Sequence, residues 1–107
     1  MTENDKVLRI RRQAREGNLR LTQHAQQEMI EEAIRLEDVL DAIGSGTILE
    51  DYPEHRRGAC CLLGGLDASG RHIHIVCTSN HDPLIVITAY LPRPPKWLSP
   101  TQRRPRQ

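Results

Sequence analysis

The sequence predicts a single α+β domain, in which N-terminal helices pack on a C-terminal antiparallel sheet of four or five strands. Two observations lead to this prediction. Before Gly46 the apolar residues recur at helical spacing, whereas after Gly46 they form short runs separated by turn-forming residues. The 107 residues are enough to bury one core but too few for two ordinary ones. With no Phe, two Tyr and one Trp, that core must be aliphatic.

Three helices are predicted in the first half of the chain. The first spans about residues 4–16 and ends at Gly17, and a short strand is compatible with residues 19–22. The second spans about 23–33. The third, at about 36–44, has the clearest pattern, because four apolar residues fall at i, i+3, i+4 and i+7 behind an acidic first turn. We expect these four residues to pack on the sheet: Leu36, Val39, Leu40 and Ile43.

Four strands are predicted in the second half, each rich in β-branched or apolar residues and separated by the turn-forming stretches PEHRRG, DASGR and SNHDP. These strands span residues 47–52, 59–66, 72–78 and 84–91. The Pro-rich end is predicted to leave the fold. We therefore expect one domain over residues 1–98 and a basic, extended or disordered tail over 99–107.

Charge is distributed unevenly along the chain, although its net value is only +1. Residues 1–20 carry six basic and three acidic side chains, 21–51 carry one and eight, and 92–107 carry five and none. Basic segments commonly bind phosphate backbones, and a solvated tail is an equal alternative for the last stretch.

Cysteine usage and hydropathy indicate a cytoplasmic protein. Cys60, Cys61 and Cys77 are odd in number and lack CxxC spacing, which argues against a disulfide framework and a structural zinc site, so reduced buried thiols are predicted. No apolar run approaches the roughly 20 residues that a membrane helix needs, and no membrane partner is expected.

The segment 71–92, RHIHIVCTSNHDPLIVITAYLP, sets histidines into two apolar runs. A hairpin centred near residue 81 would place Val76 opposite Val86, His74 opposite Thr88 and His72 opposite Tyr90. Directly opposed residues share a face of the sheet, and a slip of one residue would separate them. We expect a polar cluster on one face, formed by His72, His74, Thr88 and Tyr90. The other face should pack under the helices through Ile73, Ile75, Ile85 and Ile87.

Several short motifs carry a resemblance to a known family over about Leu21 to Trp97. They are HAQQEM at 24–29, Glu32-x-Ile34, EDV at 37–39, EDYPE at 50–54, CCLLG at 60–64, GRHIHIV at 70–76 and ITAYLPRPPKW at 87–97. Together they resemble the uncharacterised bacterial family called domain of unknown function 4258. Through its fold, that family is similar to the RelE-like and MqsR-like toxins of toxin–antitoxin pairs, which are small α+β ribonucleases.

The resemblance implies an activity and two partners. It implies an mRNA interferase, an endoribonuclease that cuts free or ribosome-bound messenger RNA without a cofactor. It also implies an antitoxin protein, of a zinc-finger type in some relatives. The chain departs from many relatives in having Glu28 and Glu32 where they carry arginine, a natural phosphate ligand. Either other arginines contact RNA, or this second helix does not.

Cleavage of RNA through its own 2′-hydroxyl needs a base, an acid and a cation, but no metal. The predicted catalytic residues are His74, His24, Tyr90 and Arg71. The predicted substrate-binding residues are His72, Arg57, Thr88, Arg93 and Lys96. Each has a structural alternative. The family's strand histidine falls at His74, which is equally compatible with a hydrogen-bonded core histidine. Tyr90 is also compatible with a half-buried residue at the edge of the sheet.

Two other classes of function remain open from the sequence. The first is a catalytically idle interaction module of the same fold, which the acidic residues at 28 and 32 favour. The second is a metal-binding protein that uses His72 and His74 with Cys77 or His81. This second class is weak, because no third ligand is evident.

Overall fold

A computed structural model describes residues 2–56 and 58–105 of the chain. Over these residues the helices are α1 (Glu3–Arg15), α2 (Gln23–Glu31) and α3 (Leu36–Ser45). The strands are β1 (Leu19–Leu21), β2 (Thr47–Tyr52), β3 (Cys60–Leu66), β4 (His72–Thr78), β5 (Leu84–Tyr90), β6 (Trp97–Ser99) and β7 (Gln102–Arg103). The α+β class predicted from the sequence is confirmed. The longest of these helices, α1, has 13 residues, and no helix in the described part is long and apolar enough to cross a membrane.

Five strands form the main sheet in the order β1-β5-β4-β3-β2. The prediction of a wholly antiparallel sheet is wrong, because β1 runs parallel to β5, with Leu19 opposite Leu84 and Leu21 opposite Val86. The helices also do not all precede the sheet, since β1 lies between α1 and α2. A strand of three residues has too little periodicity to reveal its partner from sequence.

The helix ends are fixed by side-chain caps. Thr2 accepts from the Asp5 amide at 3.1 Å to begin α1, and Thr22 accepts from the Ala25 amide at 3.0 Å to begin α2. Asp38 reaches back to the Arg35 amide at 2.8 Å and fixes the start of α3. The tight turn between α2 and α3 places Ala33 at a φ of 55°, in the left-handed region.

The helices pack on one face of the sheet and form an aliphatic core with it. Val39 and Ile43 of α3 are buried there as predicted, and Leu40 is partly buried. Leu36 departs from the prediction, since it is 47% exposed at the first residue of the helix. Helix α3 lies so close to β3 that a Cβ on Gly65 would meet the Ala42 carbonyl oxygen at 1.9 Å, which requires glycine at this position.

The register between β4 and β5 differs from the prediction. His74 lies opposite Tyr90 and Val76 opposite Thr88, but Cys77 lies opposite Val86, because the pairing is irregular between Val76 and Cys77. Near the loop the register is therefore one residue away from the prediction. Beyond the irregularity it is two residues away, which restores the predicted faces.

This irregularity decides which β5 residues enter the core. Leu84, Val86 and Ala89 pack under the helices with Ile73 and Ile75. Ile85 and Ile87, which were predicted there, lie outside this core and are only half-buried. His74, Thr88 and Tyr90 still share the opposite face, as predicted.

Strands β6 and β7 form a small hairpin over that opposite face. Trp97 pairs with Arg103 and Ser99 with Gln102, and the Arg104 amide donates to the Lys96 carbonyl at 2.8 Å. The segment 99–105, which was expected to be an extended or disordered tail, therefore continues the fold. The hairpin was not predicted from the sequence, because its prolines and charged residues do not give the alternating pattern of a strand.

Candidate functional site

A group of polar and aromatic side chains lies on the sheet face opposite the helices. We call it the sheet-face cluster, and it consists of Glu50, Tyr52, His74, Tyr90, Trp97 and Arg103. Strands β2, β4 and β5 supply its floor, and the β6–β7 hairpin covers it. Alternation along the strands places Glu50 and Tyr52 on the same face as Leu62 and Cys60, their partners on β3.

His74 is fully buried at the centre of the cluster. Its Nε2 lies 2.5 Å from the Pro100 carbonyl oxygen and its Nδ1 lies 3.2 Å from the Tyr90 hydroxyl. A carbonyl oxygen can only accept, so Nε2 carries the proton in the neutral ring. Nδ1 is then the acceptor, and the Tyr90 hydroxyl donates to it. Burial lowers the pKa of His74 and favours this neutral form.

Aromatic rings fix the orientation of the His74 imidazole. The Trp97 ring stands at 88° to it with centroids 4.4 Å apart, and the Tyr90 ring stands at 66° with centroids 5.3 Å apart. Tyr90 itself is half-buried, and burial raises the pKa of its hydroxyl. The Lys96 ammonium lies 5.9 Å from the centre of the Tyr90 ring, so a cation faces this tyrosine.

An ion pair joins the hairpin to the edge of the sheet. Arg103 donates to both carboxylate oxygens of Glu50, from Nε at 2.9 Å and from a terminal nitrogen at 2.8 Å. The Tyr52 hydroxyl also donates to Glu50. Arg103 is the main reason that the pKa of Glu50 falls to about 2. Burial, with Glu50 beside it, raises the pKa of Tyr52 to about 12. Glu50 is therefore an ionised carboxylate that Arg103 and Tyr52 hold in place.

The structure brings several predicted site residues to this face. His74 and Tyr90 are in direct contact, although their predicted partners were Thr88 and His72. Thr88 is half-buried opposite Val76, and His72 is exposed at the start of β4, opposite Leu66. His72 and His74 lie two residues apart on β4, so both belong to the same face of the sheet.

Other predicted residues lie elsewhere and have structural partners. Arg71 donates to Asp67 at 2.7 Å, to Asp38 at 3.3 Å and to the Ala33 carbonyl at 3.2 Å, so it holds the turn between α2 and α3. Arg93 pairs with Glu32 at 2.8 Å. The predicted substrate contact Arg57 lies outside the residues that the structure describes.

His24 lies near the other edge of the sheet, where α2 meets β5. It is exposed, with Nε2 3.3 Å from Glu28 Oε1. Glu28 also accepts from the Ala89 amide at 3.1 Å, and Glu32 accepts from the Leu91 amide. These amides belong to the part of β5 and the following loop that extends past the end of β1. These two carboxylates therefore satisfy a free strand edge, which an arginine at either position could not do because it has no acceptor atom.

Glu50 and Arg103 were not predicted as site residues from the sequence. They are separated by 53 positions, and nothing in either local pattern indicates that they pair. The sequence offered two separate signals, which are the acidic and aromatic stretch EDY at 50–52 and the basic C-terminal stretch at 92–107.

The residues suggested for a metal do not converge. Cys77 faces the helix-side core, whereas His74 faces the hairpin with both ring nitrogens bonded. In the described part of the chain, no three His, Cys, Asp or Glu residues are arranged to hold a metal ion. The geometry gives the metal-binding alternative no support.

A basic groove borders the cluster. Pro95, Lys96, Arg103, Arg104 and Pro105 line this surface groove of about 420 Å³. We call Lys96, Arg103 and Arg104 the basic rim. Lys96 lies over the Tyr90 ring, Arg103 lies 4.7 Å from the centre of the Trp97 ring, and Arg104 lines the same groove. Cations beside aromatic rings suit a phosphate-bearing ligand.

These features define a small α+β domain with a polar site on one sheet face, between the sheet and its own C-terminal hairpin. The chain belongs to the family described as Domain of unknown function (DUF4258), whose model matches residues 21–91. The match ends before the hairpin, so Trp97 and Arg103 lie outside it. No curated protein and no solved structure matches the chain.

Proposed function

We propose that the protein is a RelE-like, toxin-type endoribonuclease of a bacterial toxin–antitoxin pair, acting on messenger RNA in the cytoplasm. The observation that supports this most is the Tyr90–His74 pair beside the basic rim. The Pro100 carbonyl accepts from His74 Nε2, so Nδ1 is the acceptor and receives a hydrogen bond from the hydroxyl of the half-buried Tyr90.

The proposed reaction begins with proton transfer through this pair. The 2′-hydroxyl of the RNA gives its proton to Tyr90 while Tyr90 gives its own proton to His74 Nδ1, so His74 acts through Tyr90. The 2′-oxygen attacks the adjacent phosphorus, and the bond to the 5′-oxygen breaks. The Glu50 carboxylate favours the charged form of His74 and stabilises the imidazolium that results.

Two further roles follow from position. The basic rim, with Lys96 nearest to Tyr90, stabilises the charge that develops on the phosphate. His72 is the exposed imidazole on this face and can protonate the leaving 5′-oxygen. These groups supply base, cation and acid without a metal. His24, paired with Glu28 at the α2–β5 edge, is a secondary candidate.

The test replaces Tyr90 with phenylalanine, which removes only the hydroxyl. General acid–base catalysis contributes typically about 10²- to 10⁴-fold, so Tyr90→Phe should lose roughly that much cleavage of messenger RNA. His24→Ala should lose much less. A matched control is His81→Ala, because His81 is an exposed imidazole outside the cluster and its loss should leave cleavage unchanged. Equal cleavage by the Tyr90→Phe and unmodified proteins would exclude the proposed proton transfer.

A second candidate function is a catalytically idle interaction module. The observation that favours it is the complete burial of His74 under the chain's own hairpin, together with the ion pairs that occupy Arg71 and Arg93. This function predicts antitoxin binding without cleavage of free or ribosome-bound RNA and without growth arrest on expression.

A further inference from the structure

We propose that the β6–β7 hairpin is a displaceable strap over the Tyr90–His74 pair, and that RNA opens it by drawing Arg103 from Glu50 to a phosphate. The identity of the ligand rests on the function proposed above. The strap itself is argued from contacts within the chain.

The hairpin has little stability of its own. Its two short strands pair at only two positions, Trp97 with Arg103 and Ser99 with Gln102. An isolated two-stranded hairpin is marginally stable at best in water. Its position must therefore depend on contacts with the main sheet.

Among the described residues, three close contacts hold the hairpin on the sheet, in addition to the Lys96 ammonium that faces the Tyr90 ring. Trp97 is only 2% exposed and packs against the His74 ring. Pro100 accepts from His74 Nε2, and Arg103 forms the two-bond pair with Glu50. The first two contacts seal His74 from solvent, so any movement of the hairpin exposes that histidine.

The Arg103–Glu50 pair is the contact that an anion can reach. The side chains of Arg103 and Glu50 keep 31% and 27% of their exposure, so the pair is not sealed. A phosphate is tetrahedral, but it presents two oxygens that a guanidinium can bind through two hydrogen bonds, as it binds a carboxylate. Lys96 and Arg104 flank Arg103 in the groove, and neither has an acidic partner among residues 2–56 and 58–105.

Charge then favours transfer of Arg103 from Glu50 to the phosphate, rather than binding of the phosphate beside an intact Arg103–Glu50 pair. A phosphate bound at the basic rim gains three cations, and its negative charge lies near the Glu50 carboxylate and repels it. Once Arg103 turns to the phosphate, the hairpin loses its ion pair with the sheet and keeps the contacts through Trp97, Pro100 and Lys96. The ligand class that fits is a phosphodiester strand, because several phosphates can bind along Lys96, Arg103 and Arg104.

The experiment follows amide hydrogen exchange in the full-length protein by NMR. The probes are the backbone amides of Trp97 and Arg104, which donate to the Arg93 and Lys96 carbonyls, and the Nε2 proton of His74. The added ligand is a 2′-O-methyl RNA oligonucleotide, which keeps its phosphates but cannot be cleaved. Inorganic phosphate serves as a second ligand, to separate a polymer effect from a single anion.

Bound oligonucleotide should speed exchange at these probes by about tenfold to a hundredfold, the range expected for losing hydrogen bonds to a charged group. Glu50→Gln should give the same increase without ligand. Glu37→Gln is the matched control, because Glu37 is a carboxylate paired with Arg35 away from the hairpin, and it should change nothing.

Two results would overturn the strap. One is unchanged exchange while the oligonucleotide is bound, and the other is a Glu50→Gln protein with unmodified exchange. Absence of any oligonucleotide binding would overturn the ligand assignment. No probe uses cleavage, so a strap that opens in a protein that cuts no RNA would contradict the ribonuclease proposal and leave the strap standing.

Discussion

His74 is a buried side chain that serves packing and, in the proposed mechanism, also receives a proton. Its Nε2 is engaged by Pro100, and its ring stands between Trp97 and Tyr90. Only Nδ1 remains to accept a proton, through Tyr90. The histidine and tyrosine were predicted from sequence to share a face, because alternation along strands fixes faces. Their direct pairing was not predicted, because it depends on an irregular register that sequence does not reveal.

Truncating His74 should destabilise the protein. His74→Ala removes a buried ring and leaves the Pro100 carbonyl without its donor, which should cost about 2–4 kcal/mol of the free energy of unfolding. His74→Gln fills part of the space and retains a donor, so its loss should be smaller. Urea denaturation of the two variants measures the difference. Equal stability of His74→Ala and the unmodified protein would contradict the packing described for this ring.

Glu50 should make docking of the hairpin depend on pH. Its pKa is lowered to about 2 in the folded protein, chiefly by Arg103, from an ordinary value of 4.5. A lowered pKa means that the carboxylate stabilises the fold above about pH 4.5, and that this contribution is lost as the pH falls through about 2. Trp97 is the chain's one tryptophan, so its fluorescence follows the hairpin specifically.

Acid titration of the fluorescence therefore tests the Glu50–Arg103 pair. The unmodified protein should lose the buried Trp97 signal between about pH 4.5 and 2. Glu50→Gln should begin with a weakened signal and show less change over this range. Circular dichroism recorded in parallel separates hairpin release from acid unfolding of the whole domain. A transition of the same size in Glu50→Gln would assign the pH dependence to other carboxylates.

At the scale of elements, the regular helices and strands could be predicted from the sequence, whereas the short and irregular elements could not. Helix α3 could be predicted within a residue or two of Leu36–Ser45, since its apolar residues repeat at helical spacing. The hairpin could not be predicted, because strands of three and two residues are too short to show alternating apolar and polar side chains. Its attachment through Trp97 and Arg103 depends on tertiary contacts that no local pattern contains.

The edge between α2 and β5 gives a stability prediction of its own. Glu28 accepts from the Ala89 amide, so Glu28→Arg removes this acceptor and puts a donor in its place. We expect a loss of about 1–3 kcal/mol in the free energy of unfolding. Glu31→Arg makes the same charge change at an exposed neighbour on α2 and should cost much less. Urea denaturation compares the two, and equal losses would reduce the effect to charge alone.

At the scale of the whole molecule, several basic side chains form ion pairs with carboxylates. Lys6, Arg35, Arg71, Arg93 and Arg103 each lie within 4.0 Å of an acidic oxygen. The net charge of +1 nevertheless conceals a local basic surface, because Lys96 and Arg104 have no acidic partner within the described residues. The basic rim lies on the hairpin side of the sheet, beside the only tryptophan and one of the two tyrosines.

RNA binding should therefore depend on salt and on the rim. For about three phosphate contacts on a single strand, the logarithm of the binding constant should fall with the logarithm of salt concentration with a slope of roughly −2. Lys96→Ala and Arg104→Ala should each weaken binding and flatten this slope. Arg15→Ala removes an exposed arginine from α1, on the helix side of the sheet, and should leave the slope unchanged. Equal effects of all three variants would indicate non-specific attraction.

The most direct measurement of the central claim is the chemical end group of the RNA product. Purified protein is incubated with messenger RNA, free and on translating ribosomes, in the presence of a chelator, beside Tyr90→Phe. The proposed mechanism predicts fragments that end in a 2′,3′-cyclic phosphate, because the 2′-hydroxyl is the nucleophile, and it predicts almost none from Tyr90→Phe. Fragments with another end group, cleavage abolished by the chelator, or no cleavage in either setting would contradict it.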